Sequence, residues 1–198
     1  MQEAAEKVNT WAFVTRREHR KAALVVCGLM LAQQLTGINA CILHGVSILQ
    51  GLLPQAAGYI NVLISAANLA ITSLASLYFD RLSHKSLLLA SMLGMSTFAF
   101  LLALGIARSI GVLSAVAFLL FVSSFSIGLG PLPWMVASRT VDFKAVDAAQ
   151  SAGLVANWLA TFAVAFGVPI IPTVVSFVGF GFVGLLSAIV VYYGVDAY

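Results

Sequence analysis

The chain has 198 residues, of which 61% are hydrophobic and only 9% charged, with a mean hydropathy of +1.03. A water-soluble domain draws roughly a quarter of its residues from Asp, Glu, Lys and Arg, so this composition excludes a surface made for water and points to lipid. The net charge of +3 is spread through the loops apart from Arg16, Arg17, Arg20 and Lys21, which argues against a nucleic-acid partner.

Residues 1–21 read as a polar cytoplasmic N-terminal segment, with no short apolar core and cleavage site of the kind a signal peptide carries. Residues 22–195 read as a transmembrane domain. At about 20 apolar residues per crossing, it holds six spans, near 22–49, 57–79, 86–107, 110–137, 148–167 and 171–194. Pro54, the stretch from Asp80 to Lys85, the stretch from Arg139 to Asp147, and Pro169 with Pro172 separate them. The expected fold class is therefore an all-α membrane protein, a six-transmembrane-helix bundle. Cys27 and Cys41 both fall in the first span. On one continuous helix they would lie about 21 Å apart, too far to pair. No metal site or cofactor is expected.

Six spans place both termini on one side. Lys7, Arg16, Arg17, Arg20, Lys21, Arg81, Lys85, Arg139 and Lys144 then share that side, and Arg108 alone lies opposite. Lys and Arg are retained in the cytoplasm, so both termini are expected there. The choice between a plasma membrane and an internal one stays open.

Polar residues are unevenly placed. The first span carries Gln33, Gln34, Thr36, Asn39 and His44. The second carries Asn61, Ser65, Asn68, Thr72 and Ser76 on one helical face. The fourth carries Ser123, Ser124, Ser126 and Trp134, and the fifth Gln150, Asn157 and Thr161 beside Trp158. The third and sixth hold only scattered hydroxyls. Buried polar groups in a membrane face the bundle interior, so spans one, two, four and five are expected to line a polar pathway and spans three and six to face lipid. Lone hydroxyls read as helix–helix glue. Amides both donate and accept, which suits an uncharged, hydroxyl-rich solute, and a tryptophan suits the C–H face of a sugar ring.

Two spans carry breaks. Gly37 sits among amides in the first, and Gly128-Leu129-Gly130-Pro131-Leu132-Pro133 interrupts the fourth. Broken backbone survives in a membrane only where protein or a cavity satisfies it. The two spans open successive three-helix sets, and paired interruptions point to a transporter binding site. His44 is the ionisable side chain deep in a span. It is a candidate proton relay, weighed against ordinary packing.

These residues carry a resemblance. Gln33-Gln34-Leu35-Thr36-Gly37-Ile38-Asn39, Asn68, Gly130-Pro131-Leu132-Pro133-Trp134 and Asn157-Trp158 occur in the order and spacing of the sugar porter family of the major facilitator superfamily. The chain resembles its C-terminal half over roughly 15–195. The resemblance implies one half of the major facilitator fold, two inverted three-helix repeats. It implies a hexose site at Gln33, Gln34, Asn39, Asn68, Trp134 and Asn157, bordered by Trp158, and sugar transport by alternating access, facilitated or proton-coupled. It also implies a gating charge network, whose members here would be Asp80, Arg81, Lys85, Arg139 and Asp147. The chain departs from the family pattern there. Asp80-Arg81-Leu82-Ser83-His84-Lys85 lacks the glycine and the first arginine of the family's pair, Arg139 stands for a glutamate and Val146 for an arginine. Ser126 replaces an acidic residue, and Leu43-His44 an aromatic pair.

A sugar porter has twelve spans. The chain reads as a half-transporter, expected to need a separate N-terminal half or self-association besides its sugar and the lipid bilayer. The alternatives are a truncated remnant, or a non-transporting membrane scaffold or sensor. No motif of an enzyme is present.

Overall fold

The computed structural model describes residues 7–77, 79 and 81–194. Among these, nine α-helices run Thr10–Thr15 (α1), Arg20–Leu35 (α2), Ile38–Leu52 (α3), Ala57–Ser76 (α4), His84–Ala107 (α5), Gly111–Ile127 (α6), Leu132–Arg139 (α7), Val146–Gly167 (α8) and Thr173–Gly194 (α9). They make six membrane-length spans: Arg17–Leu52, α4, α5, Gly111–Arg139, Phe143–Gly167 and α9. The first and fourth are each built from two helices, α2 with α3 and α6 with α7. Cys27 and Cys41 therefore lie on either side of a break rather than on one straight helix, and both are free thiols.

The N-terminal stretch is anchored. Asn9 caps α1 by accepting from the Trp11 amide at 3.1 Å. Phe13 is fully buried in a small cluster with Val26, Met30, Ala145 and Ala149, which seats α1 against α2 and the start of α8. The Val8 amide donates to the Lys144 carbonyl at 3.0 Å.

The main core lies around α5, which packs along α6 and α9. Small residues make the approach possible. A Cβ at Gly128 would meet the Leu87 backbone, and one at Gly105 would meet Ser114. This differs from the sequence expectation for span three: it is the enclosed centre of the bundle, with Leu88, Met92, Met95, Ala99 and Leu102 buried. Span two, expected to line the interior, has 11% of its most apolar stretch buried against 50% for span three. The reason is physical. Lipid tails are as apolar as leucine, so an apolar span can bury against helices or against lipid with the same composition. Small residues such as Ser91 and Ser96 mark the packed face, and hydropathy does not report them.

A tight turn links α5 to α6. Ser109 takes φ 54°, its amide donates to the Ile106 carbonyl at 3.1 Å, and the Ile110 amide to the Gly105 carbonyl at 2.8 Å. This is a Schellman cap with serine in the position glycine usually takes.

Candidate functional site

The amides of spans one and five meet in a knot. At the end of α2, Gln33 and Gln34 are buried, and so is Asn157 in the middle of α8. Asn157 Nδ2 donates to Gln33 Oε1 at 2.6 Å, and Gln34 Nε2 donates to Asn157 Oδ1 at 3.2 Å. Asn39, the second residue of α3 and half-buried, donates to Gln34 Oε1 at 2.5 Å and to Thr161 Oγ1 at 3.3 Å. Thr161 in turn donates to the Asn157 carbonyl at 3.0 Å. Asn39 meets the knot because the chain turns at Gly37, whose φ of +92° is a left-handed conformation glycine adopts without steric cost. A Cβ there would also strike the Phe180 ring.

The same knot seals the second break. Gln33 Nε2 donates to the carbonyls of Leu129 and Gly130, at 2.8 and 2.7 Å, and the Leu129 amide donates to Ser91 Oγ at 2.9 Å. The glycines and prolines between α6 and α7 leave these backbone groups without helical partners, and side chains from α2 and α5 supply them.

A second cluster joins spans two and four. Ser126 donates to Asn68 Oδ1 at 2.7 Å, and so does Thr72 at 3.2 Å. Most other intramembrane hydroxyls bond the carbonyl four residues back on their own helix, as Ser96, Thr97 and Ser123 do. These hydroxyls are spent within their own helices rather than between them.

Of the residues singled out from sequence, Gln33, Gln34, Asn39 and Asn157 are brought together by hydrogen bonds. Asn68 belongs to its own cluster. Trp134, 36% exposed, and Trp158, 64% exposed, present open indole faces. Ser91 and Ser126 join the two clusters without having been picked out as site residues. Neither carries an amide, and a single serine in an apolar span has no signature of its own.

Among the described residues, Asp147, Lys85 and Arg139 each contact a different neighbour. Asp147 pairs with Lys7 at 2.7 Å, both about three-quarters exposed, and the Asp147 carboxylate raises the pKa of that lysine. Lys85 lies over the Tyr192 ring, 5.4 Å from its centroid. Arg139 Nη1 approaches His84 Nε2 at 3.4 Å; arginine has no acceptor, so that nitrogen accepts. Arg81 is exposed, and Asp80 lies outside the described residues. His44 stands apart from the knot, lining a cleft of about 560 Å³ with Ser47, Pro169, Pro172 and Thr173. Its Nε2 is buried, with no hydrogen-bond partner among the described residues.

What the knot can do follows from its chemistry. It is uncharged, it offers donors and acceptors in sequence, and its Asn39 and Thr161 end is only half-buried. Such a surface can exchange amide–amide bonds for bonds to hydroxyl groups.

Among the described residues the chain is an all-helical bundle of six membrane-length spans, two of them interrupted, and this is one half of the major facilitator fold. The chain superposes with a TM-score of 0.81 on the inward-open xylose transporter XylE from E. coli, at 22% identity, covering 95% of this chain and 42% of that one. The chain belongs to the sugar (and other) transporter family, whose model matches residues 1–197. It is 34% identical over 160 residues to a probable metabolite transport protein of Saccharomyces cerevisiae, covering 81% of this chain and 33% of that protein. It is 33% identical over 180 residues to vacuolar protein sorting-associated protein 73 of the same yeast, covering 91% and 36%. It is 33% identical over 167 residues to the facilitated trehalose transporter Tret1 of Bombyx mori, covering 79% and 33%. The chain thus spans about a third of the length of these curated relatives.

Proposed function

We propose that this chain is the C-terminal six-helix half of a sugar porter and that its amide-lined face holds one side of an uncharged, hydroxyl-rich solute, a hexose in the first instance. A second six-helix half completes the site, and the solute crosses as the two halves rock in alternating access. The observation that carries this reading is the continuous amide chain Gln33–Asn157–Gln34–Asn39–Thr161, uncharged and half-open at one end. Asn68, Trp134 and Trp158 extend the contact surface. The Lys and Arg count puts both termini in the cytoplasm, and the family's transporters of sugars support the solute class.

A non-transporting scaffold is the competing reading. It draws support from the sequence, where Arg139 and Val146 stand in place of the glutamate and arginine of the family pattern.

Titration calorimetry of glucose and trehalose into the purified chain in detergent separates the two. The transporter reading expects saturable heat, weakened more than tenfold in Gln34→Ala, because two charge-neutral hydrogen bonds at about 1 kcal/mol each are lost. No heat at tens of millimolar sugar, from a chain with intact helical circular dichroism, favours the scaffold.

A further inference from the structure

Residues 168–172 carry the chain from α8 to α9 at the end of the bundle away from the described termini. They face the second half of α3 across the cleft of about 560 Å³, which His44 and Ser47 line from α3, Pro169 and Pro172 from the crossing, and Thr173 from the first turn of α9.

The crossing is fastened to itself. The Val168 amide donates to the Val164 carbonyl at 3.0 Å, the Ile170 and Ile171 amides to the Gly167 carbonyl at 3.1 and 3.2 Å, and the Ser176 amide to the Pro172 carbonyl at 3.0 Å. Pro169 and Pro172 have no amide to donate. Among the described residues no backbone bond ties 168–172 to α3, so its seat there is one of side-chain packing. Nothing lies within 4 Å of where a Cβ of Gly167 would stand, and Ile170 is 83% exposed. A segment bonded within itself, with open space at its root, can shift as a unit and keep its backbone bonds.

Beneath the crossing sits a group whose charge can change. His44 Nε2 is buried, with no hydrogen-bond partner among the described residues. An imidazolium donates from both ring nitrogens, and a buried charge without a partner is costly. No counter-charge is at hand. α3 packs against α2, α4, α6 and α8. The charged and titratable groups on these elements are Cys41 on α3 itself, Arg20, Lys21 and Cys27 on α2, Tyr59 near the start of α4 and Asp147 at the start of α8. On α9 they are Tyr192 and Tyr193, at its far end. None of these lines the cleft. Asp147 stands a helix length, about 30 Å, from Gly167. Along the sequence, no Asp or Glu occurs in residues 19–79, 81–141 or 148–195.

We propose that the 168–172 crossing is a pH-sensitive strap, seated over His44 while the imidazole is neutral and lifted when it is protonated, so that water reaches the charge. Neutral pH favours the seated arrangement and acid the lifted one. Histidine is the side chain that ordinarily changes charge between about pH 5 and 8. The other two histidines, His19 before α2 and His84 at the start of α5, lie at the opposite end of the bundle. The strap uses none of the amide residues, so it stands or falls without sugar binding.

The test is fluorine nuclear magnetic resonance of the purified chain in detergent. A trifluoroethylthio label is placed on Ile170→Cys, or for comparison on Val112→Cys at the start of α6, in a chain with Cys27→Ala and Cys41→Ala. Both positions are well exposed, at 83% and 69%. Between about pH 7.5 and about pH 5 the lifted population reported at Ile170 should rise roughly threefold or more, while the Val112 signal holds still. His44→Leu and His44→Gln should each abolish the response, and either serves if the other folds poorly. An Ile170 signal that ignores pH, a response that survives in both His44 variants, or an equal response at Val112 would overturn the strap.

Discussion

The two broken spans solve the same problem in opposite ways. Between α2 and α3 the break is sealed from within its own span. The Thr36 amide reaches Ala32, the Gly37 amide reaches Gln34, and the Cys41 amide picks up the Gly37 carbonyl, all at 3.0–3.2 Å; the Thr36 hydroxyl adds a bond to the Gln33 carbonyl at 3.1 Å. One left-handed glycine is enough. Between α6 and α7 the Gly128 and Gly130 amides still reach the Phe125 carbonyl and the Leu132 amide the Gly128 carbonyl, but the Leu129 amide and the Leu129 and Gly130 carbonyls are satisfied from outside the span, by Ser91 and Gln33. Proline removes a donor and pushes apart the preceding turn, so a run of glycine and proline leaves more orphan groups than the span can satisfy itself. The first break is thus autonomous and the second depends on the first, because the amide that supports it hangs from the last turn of α2.

That contrast can be broken or sharpened by substitution. The largest effect is expected at Gly37. Gly37→Val places a branched side chain at φ +92° and against Phe180, and should lower unfolding free energy by about 2–4 kcal/mol, read as the thermal midpoint in detergent. Retention of the wild-type midpoint would mean the left-handed turn is dispensable. Gln33→Leu leaves two carbonyls and one side-chain amide without partners, costing about 2–3 kcal/mol. Hydrogen exchange should rise across residues 128–132 and stay unchanged across 36–41; equal loosening of both segments would contradict the asymmetry. Ser91→Ala strands one buried amide and should cost about 1–2 kcal/mol, with the same local exchange signature. Thr36→Val removes a redundant bond from the self-sealed break, and about 0.5–1 kcal/mol is expected. A Thr36→Val effect larger than that of Ser91→Ala would reverse the comparison.

Much of this was legible because glycine, proline and amides are conspicuous in an apolar chain. Gly37 and the Gly128–Pro133 run announce their breaks by residue type. Gln33, Gln34, Asn39 and Asn157 stand out because an amide in a span needs a partner. The structure adds which partner each one takes, which no spacing rule specifies. Span three was misplaced because its enclosure rests on serines and glycines at the crossing points, and hydropathy is blind to small residues. Ser126 stands in the sequence as one of three serines in the fourth span, and its bond to Asn68 is set by how α4 leans on α6. The charges are the least legible. Whether Asp147 meets Lys7 or Arg139 depends on where a short N-terminal helix docks, and Phe13 decides that through packing rather than charge.

The proposed function requires Asn39, Asn68, Trp134 and Trp158 to border one path that a sugar occupies. The most direct measurement is thiol labelling. Each of the four would be replaced singly by cysteine in a chain with Cys27→Ala and Cys41→Ala, embedded in membranes, and exposed to a charged methanethiosulfonate reagent with and without hexose. All four are expected to label from water, and hexose to slow labelling at each. Positions that stay unlabelled, or that label at a rate sugar does not change, would contradict it.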